Sequence, residues 1–231
     1  FSAFAGAVCQ KTFENSPFIS VKDFSSGHFR GPRGFRLKPE ITKDRDIYFD
    51  GAPDGIGTKV VAIDAAHMHR QACRDVIAMT ASDITRWGGL PLVFVNVLDV
   101  GTLGNVTSET NLAFRNMISG LGDVAREQQL VCFRGETAEL GACVSSENAG
   151  ATTHFNWAGM MIGAYEEGRI ISGTNLWPGQ KVVALGEDGF RSNGLSSVRR
   201  ALAMKFGDEW WNNPDAAESI RAVATPSTLY D

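Results

Sequence analysis

The run Pro91-Leu-Val-Phe-Val-Asn-Val-Leu98 leaves little choice of environment. It is apolar and β-branched almost without interruption, which predicts a strand covered on both faces. The flanking sequence supplies the cover. Further strands are expected at Arg45–Phe49, Lys59–Ala65, Leu130–Arg134 and Phe155–Tyr165, and helices at Arg74–Trp87 and from about Thr107 to Gln129. The first helix draws its apolar positions from Val76, Ile77, Met79, Ile84 and Trp87. The second draws on Leu112, Met117, Ile118, Leu121 and Val124, with Thr107 or Ser108 as its cap. The order β-β-α-β-α-β-β predicts an α+β domain, a ferredoxin-like mixed sheet with helices on one face.

The ends are less regular. Residues 1–44 show no clean period and contain Ser25-Ser-Gly-His-Phe-Arg-Gly-Pro-Arg-Gly34, which predicts a loop or arm. Such an arm is either a solvated tail or a basic, glycine-rich flap over an anionic ligand. A boundary is expected near Glu166–Ser172, separating a domain of residues 45–168 from residues 169–231. Beyond it Gln180–Leu185 reads as a strand, Ser196–Phe206 as a helix and Trp210–Asp215 as a polar turn. One strand buries no core of its own, so this segment either packs on the first domain or begins a second α/β domain.

Composition narrows the partners. A chain of 231 residues with 43% hydrophobic and 21% charged residues and a formal net charge of −4 carries no basic stripe for nucleic acid. No stretch approaches the ~18 apolar residues of a membrane span, and the apolar opening Phe1–Val8 has no basic flank of a signal peptide. Cys9, Cys73, Cys132 and Cys143 lack the paired spacing of a zinc site and read as free thiols in a reducing cytoplasm. His67 and His69 fit one face of a strand, but two lone histidines are more often surface residues than ligands.

Four places hold residues suited to phosphate and cation chemistry. Asp54-Gly-Ile-Gly-Thr-Lys59 sets an acid, a hydroxyl and a lysine around Gly55 and Gly57, which let a backbone approach a ligand. A plain connection between strands fits it equally well. Asp83 falls in the apolar stretch Met79–Ile84, where an unpaired charge is costly and a metal or lysine would offset it. Glu136, with Glu139 nearby, directly follows a strand, at the edge where open sheets bind ligands. Arg191-Ser-Asn-Gly194 precedes a helix, as an anion site or as an ordinary cap.

Taken in order, Asp54–Lys59, Ser82-Asp83, Gly135-Glu-Thr-Ala-Glu139, Ser192-Asn-Gly194 and Thr225-Pro-Ser-Thr-Leu-Tyr230 resemble AIR synthetase, the phosphoribosylformylglycinamidine cyclo-ligase family, from about residue 45 onward. The Gly-Glu-Thr-Ala-Glu element looks like that family rather than its relatives FGAM synthetase, selenophosphate synthetase, thiamine-monophosphate kinase and a hydrogenase maturation factor. The resemblance implies an ATP- and Mg²⁺-dependent cyclo-ligase of purine synthesis, closing formylglycinamidine ribonucleotide (FGAM) to aminoimidazole ribonucleotide (AIR), and a homodimer formed through the sheet. Carried over by motif, Asp54, Lys59, Asp83 and Glu136 would be catalytic, with Asp54, Asp83 and Glu136 holding metal. Gly55, Gly57, Thr58, Lys59, Asp83 and Thr137 would bind nucleotide. Arg191, Ser192, Asn193 and Gly194 would cradle the substrate phosphate. The chain departs from the family pattern at Phe29-Arg-Gly-Pro-Arg-Gly-Phe35, at Arg191 in place of His and at Asn96 in place of Asp. The family's second domain runs well past the sixty or so residues present here.

Overall fold

Four strands form the central sheet: β3 (Ile47–Gly55), β4 (Leu90–Val100), β5 (Val131–Glu139) and β6 (Phe155–Glu166), in a computed structural model that describes residues 1–23 and 33–229. Ahead of them come α1 (Ser2–Gln10), an antiparallel hairpin of β1 (Ile19–Asp23) and β2 (Arg33–Leu37), and α2 (Pro39–Thr42). The strand order is β3-β6-β4-β5. β4 and β5 are parallel, while β6 runs antiparallel to both of its neighbours, β3 and β4. Pro53 is tolerated in β3 because that strand is an edge.

Between β3 and β4 lie α3 (Val60–Ala65) and α4 (Ala72–Thr85), and between β4 and β5 lies α5 (Glu109–Glu127). The parallel β4–β5 pair requires such a crossover. The architecture is α+β with a mixed sheet, as expected. Its connectivity is β-α-β-α-β-β, which departs from the β-α-β-β-α-β of a ferredoxin-like layout. One core joins α4 and α5 to the sheet through Val76, Ile77, Ile84, Phe114, Met117, Leu121, Phe94, Leu98, Trp157 and Met161. Ser108 caps α5, accepting a hydrogen bond from the Asn111 N–H at 3.2 Å. Leu112 points outward at 51% exposure, and Phe114 takes the inner place expected of it.

The two-sided burial predicted for β4 holds at only one end. Val93 is buried in a second cluster with Ile19, Val131 and Phe133, on which Phe35 and Leu37 of the hairpin pack. Farther along the same face, Val97 is 43% and Met160 38% exposed.

Three other expectations change. Residues 1–44 are not unstructured where described: α1 sets Phe4 and Val8 against the main core, and β1–β2 covers the second cluster. Most of the Ser25–Gly34 stretch lies outside the described residues. The run Lys59–Ala65 is a 3₁₀ turn (Gly57–Lys59) followed by α3, not a strand. β3 has already ended at Gly55, and Val61, Ala62 and Ile63 are buried in the core as a helix instead. Gln180–Leu185 has no regular structure, with Val182 96% exposed; among the described residues no strand pairs with it.

After residue 169 the regular elements are α6 (Leu195–Phe206), two short 3₁₀ turns and α7 (Ala217–Ala224). α7 was not foreseen, and the supposedly polar Trp210–Asp215 turn buries Trp210 completely. Ile220, Val223 and Ala224 of α7 join the main core. All four cysteines are free, and no helix among the described residues is long and apolar enough to cross a membrane.

A polar knot fastens α3 to the segment before β6. Asp64 Oδ1 accepts from the Thr153 N–H (2.8 Å) and hydroxyl (2.6 Å) and lies 3.0 Å from His69 Nε2, while Oδ2 accepts from the Thr152 N–H. His69 is therefore buried and structural, not a surface residue. Burial alone would raise the Asp64 pKa, but hydrogen bonds from His69 and Thr153 hold it below the usual carboxylate range. A depressed folded-state pKa contributes stability above the unfolded value, ~3.9, and loses it as pH falls through the folded one. Asp64→Asn should thus be about 1–3 kcal/mol less stable than the parent at pH 7, and denaturant titrations should show that gap closing below about pH 4.

Candidate functional site

The Asp54–Lys59 segment spans the end of β3 and the 3₁₀ turn that leaves it. Asp54 is half-buried, its Oδ1 accepting from the Gly55 N–H at 2.7 Å. Gly57 adopts φ +58°, a left-handed conformation that side chains resist, and a Cβ there would lie 3.5 Å from the Ser192 carbonyl. Two motifs 135 positions apart are thus in contact. Thr58 is exposed beside this junction.

Lys59 turns inward. Its side chain is fully buried, and its ammonium donates to Asp75 Oδ1 (2.7 Å), Phe190 O (2.5 Å) and Thr225 O (2.7 Å). Three donors meet three acceptors, so in this conformation Lys59 is a brace. Burial pulls its pKa down and pushes that of Asp75 up, each opposed by attraction to the other. Asp75, not Asp83, is the costly buried acid of α4. The buried stripe of that helix includes Val76, Ile77, Thr80 and Ile84, and Asp83 lies to its side, 38% exposed and 3.2 Å from Arg86. Sequence reasoning passed over Asp75; its lie between Cys73 and the apolar run Val76–Met79 was the available signal.

Arg191 also turns inward, donating to Glu187 Oε2 (2.8 Å), Ser82 Oγ (2.8 Å) and Thr228 O (3.3 Å). Ser192, Asn193 and Gly194 then lead into α6. Neither Ser192 nor Asn193 forms the side-chain cap that sequence allowed: Gly194 is the N-cap at φ +74°, with no side-chain hydrogen bond. Ser192 Oγ is buried with no partner. An uncapped helix start beside an unpartnered hydroxyl suits an anion.

Glu136 lies apart. β5 runs on through Glu139, so Glu136 is in the strand rather than after it. The pairing register aligns Asp54, Gly159, Asn96 and Gly135 across the sheet, with Gly55, Ala158, Val97 and Glu136 in the next row. β3 and β5 are opposite edges, three interstrand spacings or about 14 Å apart. Successive rows also face opposite sides. Asn96 points toward the helices, accepting from Trp157 Nε1 at 3.0 Å, while Val97 lies on the open side. Asp54, Asp83 and Glu136 therefore do not gather around one cation, and among the described residues no three His, Cys, Asp or Glu do. Thr137 follows Glu136 along β5, its N–H donating to Glu136 Oε1 at 3.1 Å.

Residues 46–164 match the family described as AIR synthase related protein, N-terminal domain. The chain is 32% identical over 181 residues to the phosphoribosylformylglycinamidine cyclo-ligase of Syntrophus aciditrophicus (strain SB), covering 78% of this chain and 48% of that protein. It is 27% identical over 205 residues to the cyclo-ligase of Synechococcus sp. (strain CC9902), covering 88% and 53%. The chain thus spans about half the length of the curated relatives it matches. Among solved structures, hydrogenase maturation protein HypE in complex with ATP aligns over 90% of this chain and 52% of that one, at 14% identity and a TM-score of 0.46.

Proposed function

Starting from the fact that the chain belongs to the AIR synthase related family through its N-terminal domain, we propose that it serves the ATP-dependent cyclisation of FGAM to AIR in purine biosynthesis. The observation that carries this reading is the junction of the Gly57 turn with the uncapped start of α6, where two of the motifs that resemble the family's meet. In the proposed reaction the γ-phosphoryl group of ATP passes to the formyl amide oxygen of FGAM, leaving ADP. An amidine nitrogen then attacks the activated carbon, loses a proton and expels phosphate as the ring closes.

The roles proposed for this chain's residues are those of positioning and charge neutralisation, which dominate phosphoryl transfer. Free amides at the start of α6, with Ser192 Oγ, Asn193 and Gly194, take a phosphate group. Gly55, Gly57 and Thr58 offer a close backbone and a hydroxyl to the nucleotide. Lys59 and Arg191 hold the turn in shape from within, and Thr137 stands farther along the sheet. The separated Asp54, Asp83 and Glu136 fit magnesium only one carboxylate at a time, with phosphate oxygens supplying the other ligands. The open sheet face around Val97 and Met160 is the surface proposed for pairing two copies. Residues 169–231 are proposed to open a second domain, and the cytoplasm is the proposed location.

Single-turnover reactions of the intact gene product with ATP and Mg²⁺, with and without FGAM, test the proposal beside Asp83→Ala. ADP and AIR should form together, only with FGAM, and fall in the variant by at least about tenfold. ADP without AIR would assign the chain to a different acceptor, and ATP binding without ADP would make it a binding module.

A further inference from the structure

The Thr225-Pro-Ser-Thr228 segment is tied to the turn ahead of α6 by a chain of hydrogen bonds. Asp75 Oδ1 accepts from the Ser227 N–H (3.0 Å) and hydroxyl (2.7 Å) as well as from Lys59. Lys59 in turn bonds the carbonyls of Thr225 and Phe190, the latter immediately before Arg191. On the outer side Glu187 Oε1 accepts from the Thr228 N–H at 2.5 Å, and Arg191 spans Glu187, Thr228 O and Ser82. Gly189 closes the seam: a Cβ there would fall 2.2 Å from Thr225 O, against backbone that has no room to move. Residues 187–191 and 225–228 are therefore held as one unit, fastened to α4 at Asp75 and Ser82.

We propose that the Thr225–Thr228 segment is a latch that sets the shape of the 190–194 turn, with Asp75 and Ser227 as positioning residues. The proposal rests on the reading of that turn as a phosphate subsite. None of the latch groups has to touch ligand. Their effect passes through Lys59 to Phe190 O, and so to the orientation of Ser192 and the first amides of α6. Every bond made by Asp75 falls on Oδ1, because Oδ2 is buried without a partner. An asparagine can keep that acceptor and place its amide nitrogen where Oδ2 stands, so Asp75→Asn removes charge while preserving shape.

The test is amide hydrogen exchange across residues 190–197, with FGAM affinity by calorimetry, in the full chain and in Ser227→Ala, Ser227→Thr and Asp75→Asn. Loss of one buried hydrogen bond should speed exchange in the turn and weaken FGAM binding by about fivefold each in Ser227→Ala. Amides of β4 and α5 should be unmoved, and Ser227→Thr, which keeps the hydroxyl, should restore both values. Asp75→Asn should follow Ser227→Ala in direction. Unchanged exchange in the turn of Ser227→Ala would overturn the latch, as would exchange accelerated equally throughout β4 and α5. A parent chain that binds no FGAM would remove the phosphate reading, and the exchange comparison would still decide the latch.

Discussion

Asp75→Ala should destabilise the protein by about 3–5 kcal/mol, the cost of leaving one member of a buried ion pair without its partner. Lys59 is fully enclosed, and its two remaining acceptors, Phe190 O and Thr225 O, are neutral carbonyls. The alanine also strands the Ser227 N–H and hydroxyl, which have Asp75 Oδ1 as acceptor. Much of the loss is a penalty for uncompensated charge, not the worth of the pair itself. The double variant Lys59→Met/Asp75→Leu should therefore be more stable than the single one, since replacing a buried pair by apolar residues is often neutral or better. Urea unfolding at pH 7 of all three proteins measures this. A single variant within 1 kcal/mol of the parent would mean that the pair is reached by water and holds little.

Trp157→Ala should cost about 3–5 kcal/mol through the transfer and cavity terms of a lost large side chain. Trp157 is wholly buried in β6, the strand that bonds both β3 and β4. Its indole N–H also donates to Asn96 Oδ1 at 3.0 Å. Trp157→Phe separates the two contributions: it fills much of the space but leaves Asn96 Oδ1 unpaired, for about 1–3 kcal/mol. Thermal unfolding should rank parent, Phe and Ala in that order of decreasing stability. Equal stability of Phe and parent would show the indole hydrogen bond to be dispensable.

Where one element could satisfy itself, the sequence was readable. The stripe of α5, its Ser108 cap and the apolar run of β4 are local patterns, and each became the expected element. Val60–Ile63 failed because β-branched residues fit any apolar surface, and here that surface is a helical site in the core. Gln180–Leu185 failed for the opposite reason, having strand composition but, among the described residues, no strand beside it. At the candidate site, the contact of Gly57 with Ser192 was not legible, since nothing local joins two segments 135 positions apart. Asp75 was missed because its meaning depends on Lys59 and Ser227, 16 and 152 positions away.

The placement of β6 has a further consequence, for the order in which the molecule assembles. β6 is the last of the four strands in sequence, yet β3 has no other neighbour in the sheet. β4, α5 and β5 can condense among themselves, but β3 waits for residues 155–166, and a loop of roughly a hundred residues must close before it pairs. A ribosome adding 5–20 residues each second would leave β3 without a partner for roughly 5–20 s. Through that interval both of its edges, and Tyr48 and Phe49 with them, are open to any other strand. The slow step of folding is thus expected to be the insertion of β6 between two waiting strands, and the same interval is when the chain is most exposed to misassociation.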